Sequence, residues 1–498
     1  MSDLPAPTGI SPEDWAATPV AVQQLVVLLI GQIAEWRERV NKTSRNSSKP
    51  PSSDGPGVPP RQRRPSSGRK KGGQKGHTGH GRSLKPVEQV KRVVELKPTS
   101  CSACGVLLLG EDADAVRHQV TELPRIEPDV IEYRKHTLTC LVCGMPTTAE
   151  WPVDMPTGGF GPRAQATIGY LTGRMGMSQR DVAESMEAVF HTDVSLGSIP
   201  AQEERVSAAL AETVEEARSY VQQQAVNNVD ETSWREGTQR CWLWINTTAL
   251  VTVFAVIATR GAAGARQVLG QVWQKVVGSD RWSGYNWLDP QWRQVCWAHL
   301  KRDFQAFVDR AGEAGRIGSA LLEQAGQMFG LWHRVRDGTL SRPEFQSCMQ
   351  PIQTRVGELL REGVTLKCDK TRRTCENLLD LEVALWTFVR VEGVEPTNND
   401  AERRGRRAVL WRRRSFGTQS EQGSRFVERV LTTVTTLRQQ NRDVLDYLTE
   451  ACAAAVRGDK PPSLLPDTVA IHAAYLFTEC SFIVTEGERL MSIAIPGY

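Results

Sequence analysis

The chain of 498 residues has no long apolar run and little cysteine. No stretch approaches the ~18–20 apolar residues that a membrane span needs. The longest early apolar run, Leu25 to Ile30, follows Asp3, Glu13 and Asp14, where a signal peptide would be basic. The 11 cysteines include four in two CxxC pairs, a usage typical of metal binding in a reducing compartment rather than of a disulfide framework. We therefore expect a cytoplasmic protein without a membrane partner.

Acidic residues are missing from residues 55–87, although the net charge of the whole chain is only +4. This window contains nine Lys or Arg residues, Lys70 and Lys71 among them, and much Ser, Pro and Gly. Such a composition predicts a disordered linker over residues 41–95. The linker could bind DNA phosphates without sequence preference. A linker that merely keeps the chain soluble fits the composition equally well.

An amphipathic helix is predicted within residues 1–40. Its apolar residues recur at steps of three and four: Val22, Leu25, Leu29, Ile33, Trp36 and Val40. Because the stripe is short and a polar linker follows it, a second copy of the same helix is the favoured partner, in a coiled coil. Packing of this helix against its own globular body is the alternative.

Two cysteine pairs, Cys101 with Cys104 and Cys140 with Cys143, are each followed by glycine. Four thiolates on two such turns suit a closed, tetrahedral Zn²⁺ site, so residues 96–155 are interpreted as a structural zinc ribbon. The alternating residues within 114–139 predict its strands.

Residues 156–222 are predicted to be helical. One helix is expected over 178–187, followed by a break near 191–193 and a second helix from about Ser198. This spacing resembles a helix-turn-helix that could enter a DNA groove, although a plain helical connector has the same pattern.

Strand-like segments begin at Ala225 and are rich in Val, Ile, Trp and Thr. Asp230 and Asp280 each follow or end a short strand, and a helix is expected over 264–275 between them. We predict an α/β domain over residues 223–460, with a helical insertion at about 306–395. Residues 461–498 form a tail without a useful motif.

A basic helix is predicted after Thr397, with Asn398 to Asp400 as its capping residues and Glu402 in its first turn. Seven arginines lie between 403 and 414, so a carboxylate stands beside a surface that could bind phosphate. The simpler interpretation is a solvated helix in which Glu402 pairs with Arg406.

Asp230, Asp280 and Glu402 together suit a two-metal phosphoryl-transfer site, because Mg²⁺ or Mn²⁺ prefers carboxylate oxygen. In this hypothesis Asp230 bridges two ions, Asp280 holds one and Glu402 holds the other.

Four segments, VDETSW, SDRWSGYNW, CWAHLKRDF and the stretch from NNDAER to FVERVL, resemble DDE transposases of the insertion-sequence-sixty-six family, of the TnpC type. The NSSKPPSSDG linker, the cysteine pairs and the apolar N-terminal helix are similar too. The resemblance implies a multidomain α+β protein with an RNase H-like catalytic core. It also implies DNA cleavage and strand transfer, DNA at element ends and targets as partner, homo-oligomers, small accessory proteins and nucleoid association.

The resemblance carries Asp230, Asp280 and Glu402 over as the acids, and matches His299 and Arg302 to the family's CWAHxxRxF-like segment. These two residues are expected to bind DNA together with arginines of the basic helix: Arg403, Arg406, Arg407, Arg412 and Arg413. Two features depart from the family. Asp400 is a rival metal ligand, about 200° around the helix from Glu402, and the tail after Pro466 has no counterpart. A metal-dependent nuclease and a non-catalytic, transposase-derived DNA-binding protein remain as alternative functions.

Overall fold

The protein is described by a computed structural model that covers residues 6–7, 9–47, 83–112, 114–271 and 273–466. Lys70, Lys71, most of the expected linker and the tail from residue 467 therefore lie outside the described residues. None of the described helices is both long and apolar enough to cross a membrane.

Two helices, α1 (Pro12–Ala17) and α2 (Val20–Val40), form the N-terminal segment. The helix predicted for this region agrees with α2. Its apolar side chains are exposed, with Leu25 at 53%, Ile33 at 52% and Trp36 at 66%. Nothing in the described chain therefore covers the apolar stripe of α2.

The cysteine-containing segment holds one small hairpin, in which β1 (Thr137–Thr139) pairs antiparallel with β2 (Pro146–Thr148). The strands expected across 114–136 do not form, and that prediction was wrong. Nearly every side chain of this segment is exposed. Without a buried face, the alternation of apolar and polar residues gives strand pairing little stabilisation.

Four helices come next: α3 (Pro162–Tyr170), α4 (Gln179–Phe190), α5 (Ser198–Ala209) and α6 (Ala211–Gln223). Ser178 and Asp181 form a reciprocal capping box that begins α4 close to its predicted start.

The central element is a five-stranded mixed sheet with the order β5-β4-β3-β6-β7. Its first three strands are an antiparallel meander, and β6 and β7 extend it in parallel with β3. The strands are β3 (Val226–Glu236), β4 (Gln239–Thr247), β5 (Thr252–Ile257), β6 (Val276–Ser279) and β7 (Arg293–Val295). Helix α7 (Ala262–Leu269) connects β5 to β6. It ends earlier than predicted because Gly270 takes a φ of +108°, which breaks the helix.

A helical region follows β7, as the sequence predicted. Its helices are α8 (Trp297–Asp309), α9 (Gly312–Arg336), α10 (Arg342–Val364), α11 (Asp369–Asp380), α12 (Glu382–Leu385) and α13 (Thr387–Arg390). These helices share one core with the sheet residues Val276 and Val295. The insertion is thus anchored to the β6–β7 side of the sheet.

Three helices complete the described chain: α14 (Asn399–Ser415), α15 (Glu421–Gln439) and α16 (Val444–Arg457). Helices α14 and α15 cover one face of the sheet, where Ala408 and Leu431 pack with Ile245 and Phe254. Helix α7 covers the opposite face. Helices α3, α5 and α6 share a further core with α15 and α16.

Helix α15 also accepts hydrogen bonds from backbone amides of β5, the strand at the edge of the sheet. The backbone amides of Thr252 and Phe254 donate to Thr436 Oγ1 and Thr432 Oγ1 at 3.1 and 3.0 Å. The amide of Val256 donates to Glu428 Oε1. The three acceptors are four residues apart on α15, so one helix face supplies the hydrogen bonds that another strand would supply.

Candidate active site

Asp230 lies on β3, beyond the last residue of the strand that pairs with β6. Pairing of β3 with β6 ends at Asn228, so the strand beyond it runs beside the loop that follows β6. Asp280 is the first residue of that loop. Asp230 is opposite Ile245 in the register with β4 and so faces α14, whereas its neighbour Glu231 is opposite Trp244 and faces α7.

Glu402 is brought to β3 by the residue that precedes α14. The buried Asn398 donates from Nδ2 to the Val229 carbonyl at 2.7 Å, one residue before Asp230. Its backbone amide donates to Cys296 Sγ at 3.1 Å. We expected the side-chain oxygen of Asn398 to cap the helix, and this was wrong: the amide group is held through Nδ2 by β3, and Oδ1 accepts no bond from the first turn of α14. The same bond holds the first turn of α14, and with it Glu402, against the strand of Asp230.

The three predicted acids are close enough to interact electrostatically. Burial raises the pKa of Asp230 well above its ordinary value, and the charges of Glu231, Asp280 and Glu402 raise it further. Among the described residues, no three His, Cys, Asp or Glu side chains lie close enough together to hold a metal ion in this arrangement. The acids instead face cations: Arg260 Nη2 is 3.8 Å from Asp280 Oδ2.

His299 and Arg302 face Glu402 from α8. Glu402 Oε1 lies 3.7 Å from His299 Nε2 and 3.8 Å from Arg302 Nη2. Burial, and then the charge of Arg302, lower the pKa of His299, which favours the neutral imidazole. The rival acid Asp400 turns elsewhere and pairs with Arg403 and Arg404 of its own helix.

Three residues of the site were missed in the sequence: Glu231, Arg260 and Tyr285. Glu231 is only 8% exposed and accepts from Arg260 Nε at 2.8 Å and from the Tyr285 hydroxyl at 2.6 Å. Burial and the charge of Asp280 raise the pKa of Glu231 to about 7, against the opposing effects of Tyr285 and Arg260. Two adjacent acids in a strand, Asp-Glu in VDETSW, could have signalled one carboxylate on each face of the sheet.

The predicted DNA-binding arginines of α14 divide into two groups. Arg403, Arg406 and Arg413 are exposed. The other two bond to the protein: Arg407 donates to the Arg174 carbonyl, and Arg412 donates to Ser233 Oγ at 2.7 Å.

The two cysteine pairs lie on turns of the same geometry. Gly105 and Gly144 adopt φ values of +74° and +70°, and each amide donates to the carbonyl of the first cysteine in its pair at 2.9 Å. Backbone amides that point at the sulfur lower the pKa of the Cys101 and Cys140 thiols. Each turn thus favours a thiolate.

Helix α5, the second helix of the helix-turn-helix-like pattern, is packed against other helices. Its exposed positions carry no cation and are Pro200, Ala201, Glu204 and Ala208. Binding of DNA by this helix stays a prediction.

Comparison with known proteins adds to this geometry. The family model described as "Transposase IS66 family" matches residues 158–425, a span that runs from just before α3 to the beginning of α15 and contains all three acids. A second model, described as a family of unknown function (DUF6444), matches residues 11–83. No curated protein is significantly similar to the chain.

Proposed function

This chain belongs to the IS66 family of transposases, and we propose on that premise that it cuts DNA at the ends of an insertion sequence and joins them to target DNA. The observation that carries the proposal is the gathering of Asp230, Asp280 and Glu402 from β3, the loop after β6 and α14. Burial raises the pKa of Asp230, and the charges of Asp280 and Glu402 are among those that raise it further.

A cluster of carboxylates with mutual repulsion fits divalent cations. Oxygen donors suit Mg²⁺ or Mn²⁺. Asp230, Asp280 and Glu402 would hold two such ions after their side chains move closer together than in this arrangement. Bound there, the ions would supply charge neutralisation and activation of the attacking oxygen. Arg302, which faces Glu402 at 3.8 Å, would then be free to turn towards DNA phosphates.

In the proposed reaction, water attacks a phosphodiester at the element end, and the bond from phosphorus to the 3′ oxygen breaks. The products are a 3′ hydroxyl and a 5′ phosphate. That hydroxyl then attacks a phosphodiester of the target DNA in the same manner, so no covalent bond to the protein is needed. Arg302 and the exposed arginines of α14, Arg403, Arg406 and Arg413, would bind the DNA backbone, and neutral His299 would position a phosphate or the attacking oxygen.

Other regions take supporting roles in this proposal. The meander followed by two parallel strands supports an RNase H-like core for residues 223–460, interrupted by the insertion. The matched turns of Cys101–Cys104 and Cys140–Cys143 support a structural Zn²⁺. The uncovered apolar stripe of α2 supports a coiled coil between copies. Binding of DNA by Lys70 and Lys71, and accessory proteins from the same element, are expectations from sequence alone.

The test uses purified full-length protein and the DNA that flanks its gene, with inverted repeats marking the element ends. Wild-type protein with Mg²⁺ should nick these ends, and precleaved ends should be joined to a target plasmid. The substitutions Asp230→Asn, Asp280→Asn and Glu402→Gln should each abolish both reactions while DNA footprints persist.

Asp400→Asn is the matched control, because Asp400 is on the same turn as Glu402 but pairs with Arg403 and Arg404. It should leave cleavage within a few-fold of wild type. Cleavage that survives Glu402→Gln and is lost in Asp400→Asn would reassign the helical acid. Cleavage without joining would make the protein a nuclease, and footprints without either reaction would make it a non-catalytic DNA-binding protein.

A further inference from the structure

A second group of side chains lies beside the acids, on the face of the sheet that α7 covers. Its centre is Arg260, whose guanidinium carbon is 4.1 Å from the ring centre of Trp282 and 5.1 Å from that of Trp242. The side chain of Arg260 is 30% exposed. It is therefore a cation between two indoles that a ligand from solvent can reach.

Two hydrogen bonds fix the position of Arg260. Glu231, whose side chain is 1% exposed, accepts from Arg260 Nε at 2.8 Å, and the carbonyl of Arg260 accepts from Trp282 Nε1 at 3.2 Å. A Cβ on Gly284 would lie 2.8 Å from Trp282 Cδ1 and 2.9 Å from the Arg260 carbonyl. Only glycine fits there, so the local backbone is adapted to this stack.

The contacts leave the terminal nitrogens of Arg260 available. Nη2 is 3.8 Å from Asp280 Oδ2, beyond hydrogen-bonding distance but within the reach of its charge. A guanidinium held through Nε presents its two terminal nitrogens as a fork, a shape that matches two phosphate oxygens.

Trp282 adds an aromatic surface next to this fork. It is 37% exposed, and its backbone amide donates to Asp280 Oδ1 at 2.9 Å. Any base stacked on this indole would thus be held two residues from a candidate acid. Stacking of a base on an aromatic ring tolerates every sequence, because each base has a π-face.

We infer that Arg260 and Trp282 form a binding site for one nucleotide of the DNA strand at the candidate active site. Arg260 takes a phosphate, and Trp282 stacks on a base that has left its pair. The inference rests on the proposed function, since it places this nucleotide beside the phosphodiester to be cut. It also gives the carboxylate cluster, which repels DNA, a fixed cation that draws one phosphate to its edge.

The experiment measures binding rather than cleavage. Forked duplexes made from the DNA flanking the gene carry 2-aminopurine at one position of the single-stranded arm, moved along the arm in a series. Binding is followed without Mg²⁺ by the fluorescence of 2-aminopurine, which stacking quenches, and by affinity at several salt concentrations.

One arm position should be quenched strongly by wild-type protein. Trp282→Ala should remove this quenching and weaken binding about tenfold or more, within the range for loss of one stacking aromatic residue. Trp282→Phe should retain most of both effects. Arg260→Ala should weaken binding and lower the slope of log affinity against log salt by about one, as expected for one lost phosphate contact.

Arg240→Ala is the matched control, because Arg240 lies 5.1 Å from the ring of the same Trp242 but at the exposed start of β4. It should bind the probes as wild type does. Equal losses of DNA affinity in Arg240→Ala and Arg260→Ala would show that only the total positive charge matters, and would overturn the inference. So would quenching that is unchanged in a folded Trp282→Ala protein, checked by circular dichroism.

The cleavage assay separates this inference from the proposed function. Normal cleavage by wild type with unchanged probe binding in the Trp282 and Arg260 variants refutes the nucleotide site alone. Position-specific quenching by a protein that never cuts DNA refutes the proposed function alone.

Discussion

The bond from Asn398 to the Val229 carbonyl offers a sharp test of how the site is assembled. It joins α14 to β3 across 169 positions of sequence, at 2.7 Å, and Asn398 is 1% exposed. Asn398→Ala removes the donor and leaves a buried carbonyl without it, which costs about 1–3 kcal/mol. Asn398 Oδ1 has no hydrogen-bond partner among the described residues. Because alanine also removes this unpaired oxygen, we expect the loss to lie in the lower half of that range, about 1–2 kcal/mol.

Activity should fall by much more than stability. The lost bond lets the first turn of α14 move away from β3, and a displacement of about 1 Å at a catalytic group can cost about 100-fold in rate. We expect a decrease in melting temperature of roughly 2–4 °C per kcal/mol for a domain of this size. Cleavage should fall by about two orders of magnitude at a temperature where the variant is fully folded.

Asn227→Ala provides a matched comparison. Asn227 is fully buried and is the second residue of the same strand. It donates from Nδ2 to the Val221 carbonyl at 2.7 Å and to Asn246 Oδ1 at 2.8 Å. It should destabilise the protein at least as much as Asn398→Ala, yet leave cleavage nearly intact. Thermal unfolding and initial cleavage rates would be measured on both variants. Equal losses of activity in the two folded proteins would refute the view that Asn398 acts by positioning Glu402.

Three further predictions concern α14, the cysteine turns and α15. Arg406→Gln should lower the salt slope of DNA binding by about one, whereas Arg412→Gln, whose guanidinium bonds β3, should lower the melting temperature with little change in slope. Metal analysis should find one zinc per chain, and Cys101→Ser should abolish it without changing the unfolding of the catalytic domain, since the hairpin segment is exposed. Burial raises the pKa of Glu428 above its ordinary 4.5, so this group favours the fold below pH 4.5 and loses that contribution as pH rises through its folded pKa. Glu428→Gln, which keeps an acceptor oxygen, should therefore flatten the decline in melting temperature over that window, and an unchanged profile would contradict the assignment.

Local patterns predicted much of the fold. The capping residues Ser178 and Asp181 predict the start of α4. Alternating side chains rich in Val, Ile and Trp predict β3 to β5. Both patterns are visible in the sequence because they depend only on neighbouring residues. The strands expected over 114–136 illustrate the limit of such patterns. Alternation specifies a strand only when another part of the chain covers one of its faces, and no part of the chain that the structure describes covers these residues.

The site was only partly predictable for the same reason. Asp230, Asp280 and Glu402 could be chosen as candidates because each stands at a recognisable place, two at strands and one in a helical first turn. The bond of Asn398 to β3, and the contacts of Glu231 with Arg260 and Tyr285, depend on register and on elements far apart in sequence. Patterns in a single sequence hold no information on contacts between distant elements. The side chains on the α7 face of the sheet could therefore be identified only from the structure.

The hydrogen bonds between β5 and the side chains of α15 have a consequence for synthesis of the chain. The strand and the side chains that complete its hydrogen bonds are separated by 172 to 184 positions. At translation rates of ~5–20 residues per second, β5 leaves the ribosome roughly 9–37 s before these side chains of α15 do. During that interval the nascent chain exposes unpaired backbone amides of β5, which can pair with a strand of another chain. A product that ends before Glu428 would expose these amides permanently. Truncated copies of such a gene would therefore yield aggregating fragments rather than soluble competitors of the full-length protein.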